Sequence, residues 1–409
     1  MSGSSLDGLD IAYVHLQESV ASSKDRKWEF TFLHTACYPY TEEWRQRLSS
    51  ATGLSALDYQ LLHTDYGHYL GERVNEFIEA HHLQYQVQLI ASHGHTSFHV
   101  PARKMTAQLG DGAALAAMTK INVVSDLRAM DLALGGQGAP IVPIGEKLLL
   151  HGYELFLNLG GIANISSHGG GGIRAGAPGG ARAGASGAGA FVAYDVCPAN
   201  RVLNQLIAPL GKEYDDGGAL AATGQVDEDL LQRLNGLSYY AEAYPKSLAN
   251  DFGTDVVYPM IAAAGLEVVD ALRTYVEHIC QQIRNAVEGL TQDTHKAGAA
   301  GVSAAGTGLT AAEAPATDGS LPMRRMLVTG GGGHNHFLTG RLQELLQPLG
   351  VEVAVPVSDS DRALIDYKEA LVMALIGVLR WREENNVLSS VTGASRDSIG
   401  GAVWIGQEA

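Results

Sequence analysis

Apolar positions along this chain fall into two alternating patterns. Leu9–Leu16 and Trp28–Tyr38 are dense in β-branched and aromatic residues and predict strands. Leu62, Tyr66, Tyr69/Leu70, Val74 and Phe77 then recur at three- and four-residue spacing, which predicts a long helix. A short strand over Val87–Ala91, a helix opening near Asp111 and a strand over Asn122–Ser125 complete the first half. In the second half, Glu154–Ser166 reads as a strand, a Gly160-Gly161 turn and another strand. Asp270–Leu290 is an amphipathic helix with Leu272, Val276, Ile279, Ile283 and Val287 on one face. Met326–Val328 is a strand feeding a glycine loop, and Asp366–Arg382 is a mostly apolar helix. Each half is read as opening with a strand, a glycine turn and a strand, so the pattern predicts a duplicated α/β architecture with a cleft between its halves.

Composition adds to this in four ways. At 409 residues, 46% of them hydrophobic, the chain exceeds one comfortable core and predicts two domains. Two stretches, 166–190 and 296–320, are almost entirely small residues and read as low-complexity insertions within a domain. A formal charge of −16 excludes broad nucleic-acid or anionic-membrane binding, while leaving room for phosphates held by backbone amides. Only Cys37, Cys197 and Cys280 carry thiols, and the start lacks a basic, then apolar, signal segment. The expectation is a cytoplasmic protein with no membrane partner.

Three glycine turns are the candidates for phosphate contact: Ser2-Gly3-Ser4-Ser5-Leu6-Asp7-Gly8, Asn158–Asn164 around Gly160 and Gly161, and Gly330–Asn335 around Gly331 and Gly332. Glycine reaches positive φ and lets a phosphate approach the amides. None fits the dinucleotide or P-loop pattern, so a tight structural turn is the competing reading of each. Phosphoryl transfer also needs carboxylates for a divalent cation and for deprotonating the nucleophile. Asp7, Asp10, Asp126, Asp131, Asp195 and Glu369 lie near turns. Asp195 ends an apolar strand before Pro198 and is the candidate general base, with a turn-capping Asp as the plain alternative. His93, His95 and His99 have ligand-like spacing, but without HExxH or a cysteine pair they read as hydrogen-bonding or structural residues rather than a zinc site. Asp126, Arg128 and Asp131, followed by Gly135-Gly136-Gln137-Gly138, suit a hydroxylated or amide-bearing ligand, or else a surface ion pair. Lys246 and Ser247 are isolated and read as either loop or ligand contact.

An ordered series of motifs then carries a resemblance. It includes MSGSSLDGLD at Met1, SHGHT at Ser92, LGDGAALA at Leu109, VVSDLRAMDLALGGQGAPIVP at Val123 and NLGGIANIS at Asn158. YDVCPAN at Tyr194, YPKSL at Tyr244, TGGGGHN at Thr329, YKEALVMALIGVLR at Tyr367 and VTGA at Val391 follow. Outside the two insertions, the chain resembles the anhydro-N-acetylmuramic acid kinase family almost end to end.

The resemblance implies two actin-like (ribonuclease H-like) α/β domains around a central cleft. It divides the chain into 1–133 with 386–409 returning to it, and 134–385. Ser2, Gly3, Ser4, Ser5, Asp7, Gly8, Asn158, Gly160, Gly161, Gly331, Gly332 and Asn335 would face ATP. Asp7 would reach Mg2+ through the phosphates. Asp195 would be the catalytic base, and His93, Asp126, Arg128 and Glu369 would line the sugar pocket. The implied reaction hydrolytically opens 1,6-anhydro-N-acetylmuramic acid and phosphorylates O6, with a homodimer as the implied assembly. Val196-Cys197-Pro198-Ala199, His95, Gly145-Glu146 and Ala249-Asn250-Asp251 depart from the family pattern, and members begin several residues earlier with a strand. A same-fold kinase of another amino sugar, or a sensor without turnover, are the alternatives.

Overall fold

The structure, a computed structural model, describes residues 1–3, 6–22, 25–168, 191–242, 246–248, 251–300, 323–356 and 359–406. The N-terminal part holds β1 (Gly8–Ser22), β2 (Asp25–Pro39), α1 (Glu42–Ser49) and α2 (Ala56–Ala80). It continues through β3 (Ile90–Ala91), β4 (His95–Val100), β5 (Met105–Leu109), α3 (Gly112–Thr119), β6 (Val123–Ser125), α4 (Ala129–Ala133) and α5 (Pro143–Leu149). Next come β7 (Leu155–Leu159), β8 (Ile162–His168), β9 (Phe191–Pro198), α6 (Asn200–Ile207), α7 (Glu228–Asn235), α8 (Tyr258–Ala262) and α9 (Val268–Ala300). The chain ends with β10 (Arg324–Thr329), α10 (His336–Leu346), β11 (Val351–Ala354), α11 (Asp359–Trp381), α12 (Ser389–Thr392) and β12 (Ala402–Trp404). Of the predicted insertions, 166–168 belong to β8 and 296–300 to α9; 169–190 and 301–320 lie outside the described residues.

Two units emerge, Met1–His151 with Tyr367–Ala409, and Gly152–Asp366. The second is built on a five-stranded sheet of order β11-β10-β7-β8-β9. β7, β8 and β9 form an antiparallel meander, and β10 and β11 add in parallel on the other side of β7. This is the ribonuclease H-like order. It is closed by α9, whose Leu272, Val276, Ile279, Ile283 and Val287 are fully buried among Leu157, Val196 and Met326. A helix with one wide apolar stripe has to cover a sheet face in this way.

The first unit pairs β1 with β2, and separately lays β3 beside β6 in parallel, with β12 antiparallel on the far edge of β6. Here the structure corrects two expectations. Among the described residues the glycine turn leads into β1 instead of following a strand, and β1–β2 and β12-β6-β3 are separate sheets. A cavity of about 300 Å³ in this unit is lined by Ile11, Val14, Leu70, Phe77, Leu89 and Met373. The strand expected over Val87–Ala91 also shrinks to Ile90–Ala91, where β6 supplies a partner. Apolar pattern alone makes no ladder without a neighbouring edge to bond.

One core residue of the second unit gives a pH expectation. His278 is fully buried, its Nδ1 2.7 Å from Asn235 Oδ1 and its Nε2 3.0 Å from Tyr240 Oη. Burial lowers its pKa to about 3. The unfolded chain, with an ordinary histidine near pH 6.5, takes up a proton that the folded chain refuses. Stability is therefore lost as pH falls below about 6.5, by about 2 kcal/mol at pH 5 from this side chain. The urea midpoint of the unmutated protein is expected to fall more between pH 7 and pH 5 than that of His278→Gln. Equal falls would show that His278 protonates freely in the folded state.

Candidate active site

Asp195 sits within β9, paired with Asn164 of β8 beside a break in register between Ala163 and Asn164. Pro198 closes that strand rather than interrupting it. Asn164 Nδ2 donates to Asp195 Oδ1. Ser247 Oγ donates to Oδ2 at 2.9 Å, and the Leu248 backbone N–H donates to the same oxygen at 2.8 Å. Tyr239 Oη donates to the Asp195 backbone carbonyl at 2.5 Å. A carboxylate has about four lone-pair sites, so three donors orient this one and leave a position for a proton. Burial, with the Asp195 charge next in size, pushes the Tyr239 phenol far up and keeps it a donor. Lys246 lies 4.6 Å from the Tyr239 ring centre and donates to its carbonyl at 3.3 Å. The sequence left Lys246 and Ser247 as either loop or ligand contact and read Asn164 only as part of a turn. A loop that meets β9 through hydrogen bonds has no periodic signal.

Asn200, the first residue of α6, which sequence reasoning passed over, holds the first of the second unit's two glycine turns. Asn200 Nδ2 donates to Leu159 O at 2.9 Å, and its backbone N–H donates to Gly160 O at 3.1 Å. Gly330 has φ +80, and a Cβ there would come within 2.4 Å of Asn158 Oδ1. Gly332 is equally confined, since its Cβ would meet Leu159 Cβ at 2.6 Å. These two glycines let the loops touch. At Gly160, Gly161 and Gly331 an added Cβ would find nothing nearer than 3.5, 3.7 and 3.9 Å. Those three offer open backbone of the kind a phosphate or nucleoside can approach. Asn335 caps α10, accepting from the Leu338 N–H at 3.0 Å. His334 is 2.9 Å from Asp366.

In the first unit the glycine turn is turned partly inward. Ser2 is buried, with Tyr40 Oη donating to its Oγ at 2.8 Å and His95 Nδ1 3.2 Å away. Tyr40 and Tyr66 hydroxyls are themselves 2.5 Å apart. Gly8 is needed for packing, because its Cβ would lie 2.6 Å from Tyr38 O. Gly3 is half-buried and Asp7 exposed; Ser4 and Ser5 lie outside the described residues. Among the described residues no group of three or more metal-binding side chains is assembled.

His93, Arg128 and Glu369 come together in this unit. Arg128 Nε donates to His93 Nε2 at 2.8 Å, and His93 Nδ1 lies 3.0 Å from Gly94 O. A guanidinium N–H can only donate, so Nε2 accepts and the imidazole proton is on Nδ1. Burial and then the Arg128 charge hold His93 well below the usual histidine range, so it is neutral. Burial lowers Arg128 to about 10, with Glu369 and then Asp131 opposing, so it stays cationic at pH 7. Asp126, in contrast, is exposed at φ +55, a left-handed conformation that Asp tolerates better than most residues.

The family model for anhydro-N-acetylmuramic acid kinase matches residues 1–312 and 305–406. A protein of that name from Gloeobacter violaceus is 31% identical, over 97% of this chain and 95% of its own. Others from Vibrio cholerae and Coxiella burnetii are 30% and 29% identical, over 99% and 100% of this chain and 96% and 97% of theirs. On this match the chain belongs to the anhydro-N-acetylmuramic acid kinase family.

Proposed function

We propose that this chain hydrolytically opens 1,6-anhydro-N-acetylmuramic acid and phosphorylates O6, giving N-acetylmuramic acid 6-phosphate and ADP. The observation that carries the reading is the Asp195 carboxylate, oriented by Asn164, Ser247 and the Leu248 N–H and left with acceptor capacity. In this reading Asp195 takes a proton from water as the water oxygen bonds to C1. The C1–O6 bond breaks, and O6 bonds to the transferred phosphorus while the bond to the ADP oxygen breaks. When bound, ATP supplies the phosphoryl group and Mg2+ neutralises charge on its phosphates. The open glycines Gly160, Gly161 and Gly331 fit a nucleotide, with Asn158, Gly332 and Asn335 shaping their loops. In the first unit's turn, half-buried Gly3 and exposed Asp7 suit phosphate and its cation, whereas buried Ser2 and close-packed Gly8 shape the turn.

Cationic Arg128 suits the lactyl carboxylate of a muramic acid, and Glu369 and Asp126 suit its hydroxyl and amide groups, while neutral His93, with both ring nitrogens already bonded, serves the pocket by holding Arg128. We place the enzyme in the cytosol, where the free thiols Cys37, Cys197 and Cys280 stay reduced. The test is mass spectrometry of products after incubation with MgATP and the anhydro sugar in 18O-labelled water. One 18O at C1 of a reducing sugar 6-phosphate is expected. Phosphorylated sugar that keeps its anhydro ring would overturn the ring-opening step, and ATP consumption only with another amino sugar would overturn the substrate.

A further inference from the structure

Asp131 and Thr392, on α4 and α12, have no role in the function proposed above, yet both are buried and bonded in series. Thr392 Oγ1 donates to Asp131 Oδ1 at 2.6 Å. Asp131 Oδ2 accepts from the Gly138 N–H at 2.7 Å. Gly138 O in turn accepts from Arg128 Nη1 at 2.6 Å, and Arg128 Nε donates to His93. The relative exposures are 0% for Asp131, 1% for Thr392 and 4% for His93, so water does not substitute for these bonds. The glycine-rich segment is held at further points. Gln137 N–H donates to Thr392 O, and Gly136 N–H to Asp131 O, both at 2.9 Å. A Cβ on Gly136 would lie 2.2 Å from Asp131 Oδ2, so the close wrap of loop on carboxylate requires glycine there.

A guanidinium has five N–H donors in one rigid plane, and two of them are fixed by Gly138 O and His93 Nε2. Fixing two donors fixes the direction of the other three. The geometry points to Asp131 and Thr392 as positioning residues that aim Arg128, through Gly138, at the acidic group of the sugar. This rests on the sugar-kinase reading above. Thr392 is the informative site, because its hydroxyl can be deleted without removing a charge. A buried, fully satisfied chain of this kind orients its last member only while every link is made.

The experiment compares Thr392→Val and Thr392→Ser with the unmutated protein. Thr392→Val is expected to raise KM for the anhydro sugar about tenfold, with KM for ATP unchanged, and Thr392→Ser is expected to restore it. A merely structural role would weaken both substrates together, or neither. Independently of turnover, 15N NMR of the His93 imidazole is expected to show the Nδ1–H tautomer in the unmutated protein and in Thr392→Ser. Thr392→Val is expected to bring in the Nε2–H tautomer as Arg128 loosens. Unchanged sugar KM or an unchanged His93 signal in Thr392→Val would overturn the proposal. An unmutated protein that turns over no sugar would overturn the functional reading instead, and the His93 signal alone would then decide the relay.

Discussion

Asp195→Asn is expected to lower kcat about a thousandfold or more with MgATP and the anhydro sugar, while leaving the melting temperature within a few degrees. The loss follows from the role: an amide cannot take the proton from the attacking water, and a positioned general base contributes about 10²–10⁴ in rate. Preservation of the fold follows from the donors. An asparagine can keep its carbonyl oxygen facing Ser247 and the Leu248 N–H, whose bonds to Asp195 Oδ2 are 2.9 and 2.8 Å. Its NH2 then faces Asn164, whose side-chain amide can turn over to offer oxygen. The cost is thus a rearranged hydrogen bond rather than an orphaned one. Steady-state kinetics, with circular dichroism as the control on folding, checks both parts. Activity within tenfold of the unmutated protein would remove Asp195 from the chemistry.

The plainest parts of this molecule in its sequence are those that depend on periodicity. The buried face of α9 and the strands on either side of Gly160-Gly161 are set by apolar spacing, which a linear chain displays. Asp195 was also accessible, because an acid in an otherwise apolar strand is conspicuous. What surrounds it was not. Ser247 and Asn164 lie 52 and 31 positions away in the chain, and their service to one carboxylate arises only when a loop settles on the meander. The same holds for glycine. Gly330 and Gly331 look alike in the sequence, but one is forced by contact with Asn158 and the other stands open. The short β3 makes the converse point: a strand needs a partner edge, and the local pattern carries no information about whether one is present.

Lys368→Met is expected to destabilise the first unit by about 3–5 kcal/mol, the largest stability effect foreseen for a single side chain here. Lys368 Nζ lies 3.1 Å from Glu146 Oε1, and the two side chains are only 4% and 3% exposed. Their mutual attraction offsets much of the cost of taking both charges out of water, so the pair's net contribution is small. Removing the ammonium alone leaves a buried carboxylate facing a thioether. Relaxation is restricted, because α5 and α11 meet closely at this point. A Cβ on Gly145 would lie 2.3 Å from Val372 Cγ2, so neither helix has room to shift and admit water. The double variant Glu146→Leu/Lys368→Met is therefore expected to regain most of the lost stability, having no buried charge left to satisfy. Urea unfolding of the two single variants and the double variant forms the cycle that separates these terms. A loss below about 1 kcal/mol in Lys368→Met would mean that water reaches Glu146 after all. Glu369 is the next residue on the same helix, so the stability result also has a kinetic counterpart. If the pair fixes the register of α11, Lys368→Met should raise KM for the sugar, whereas the repacked double variant, with its helix again fixed, should not.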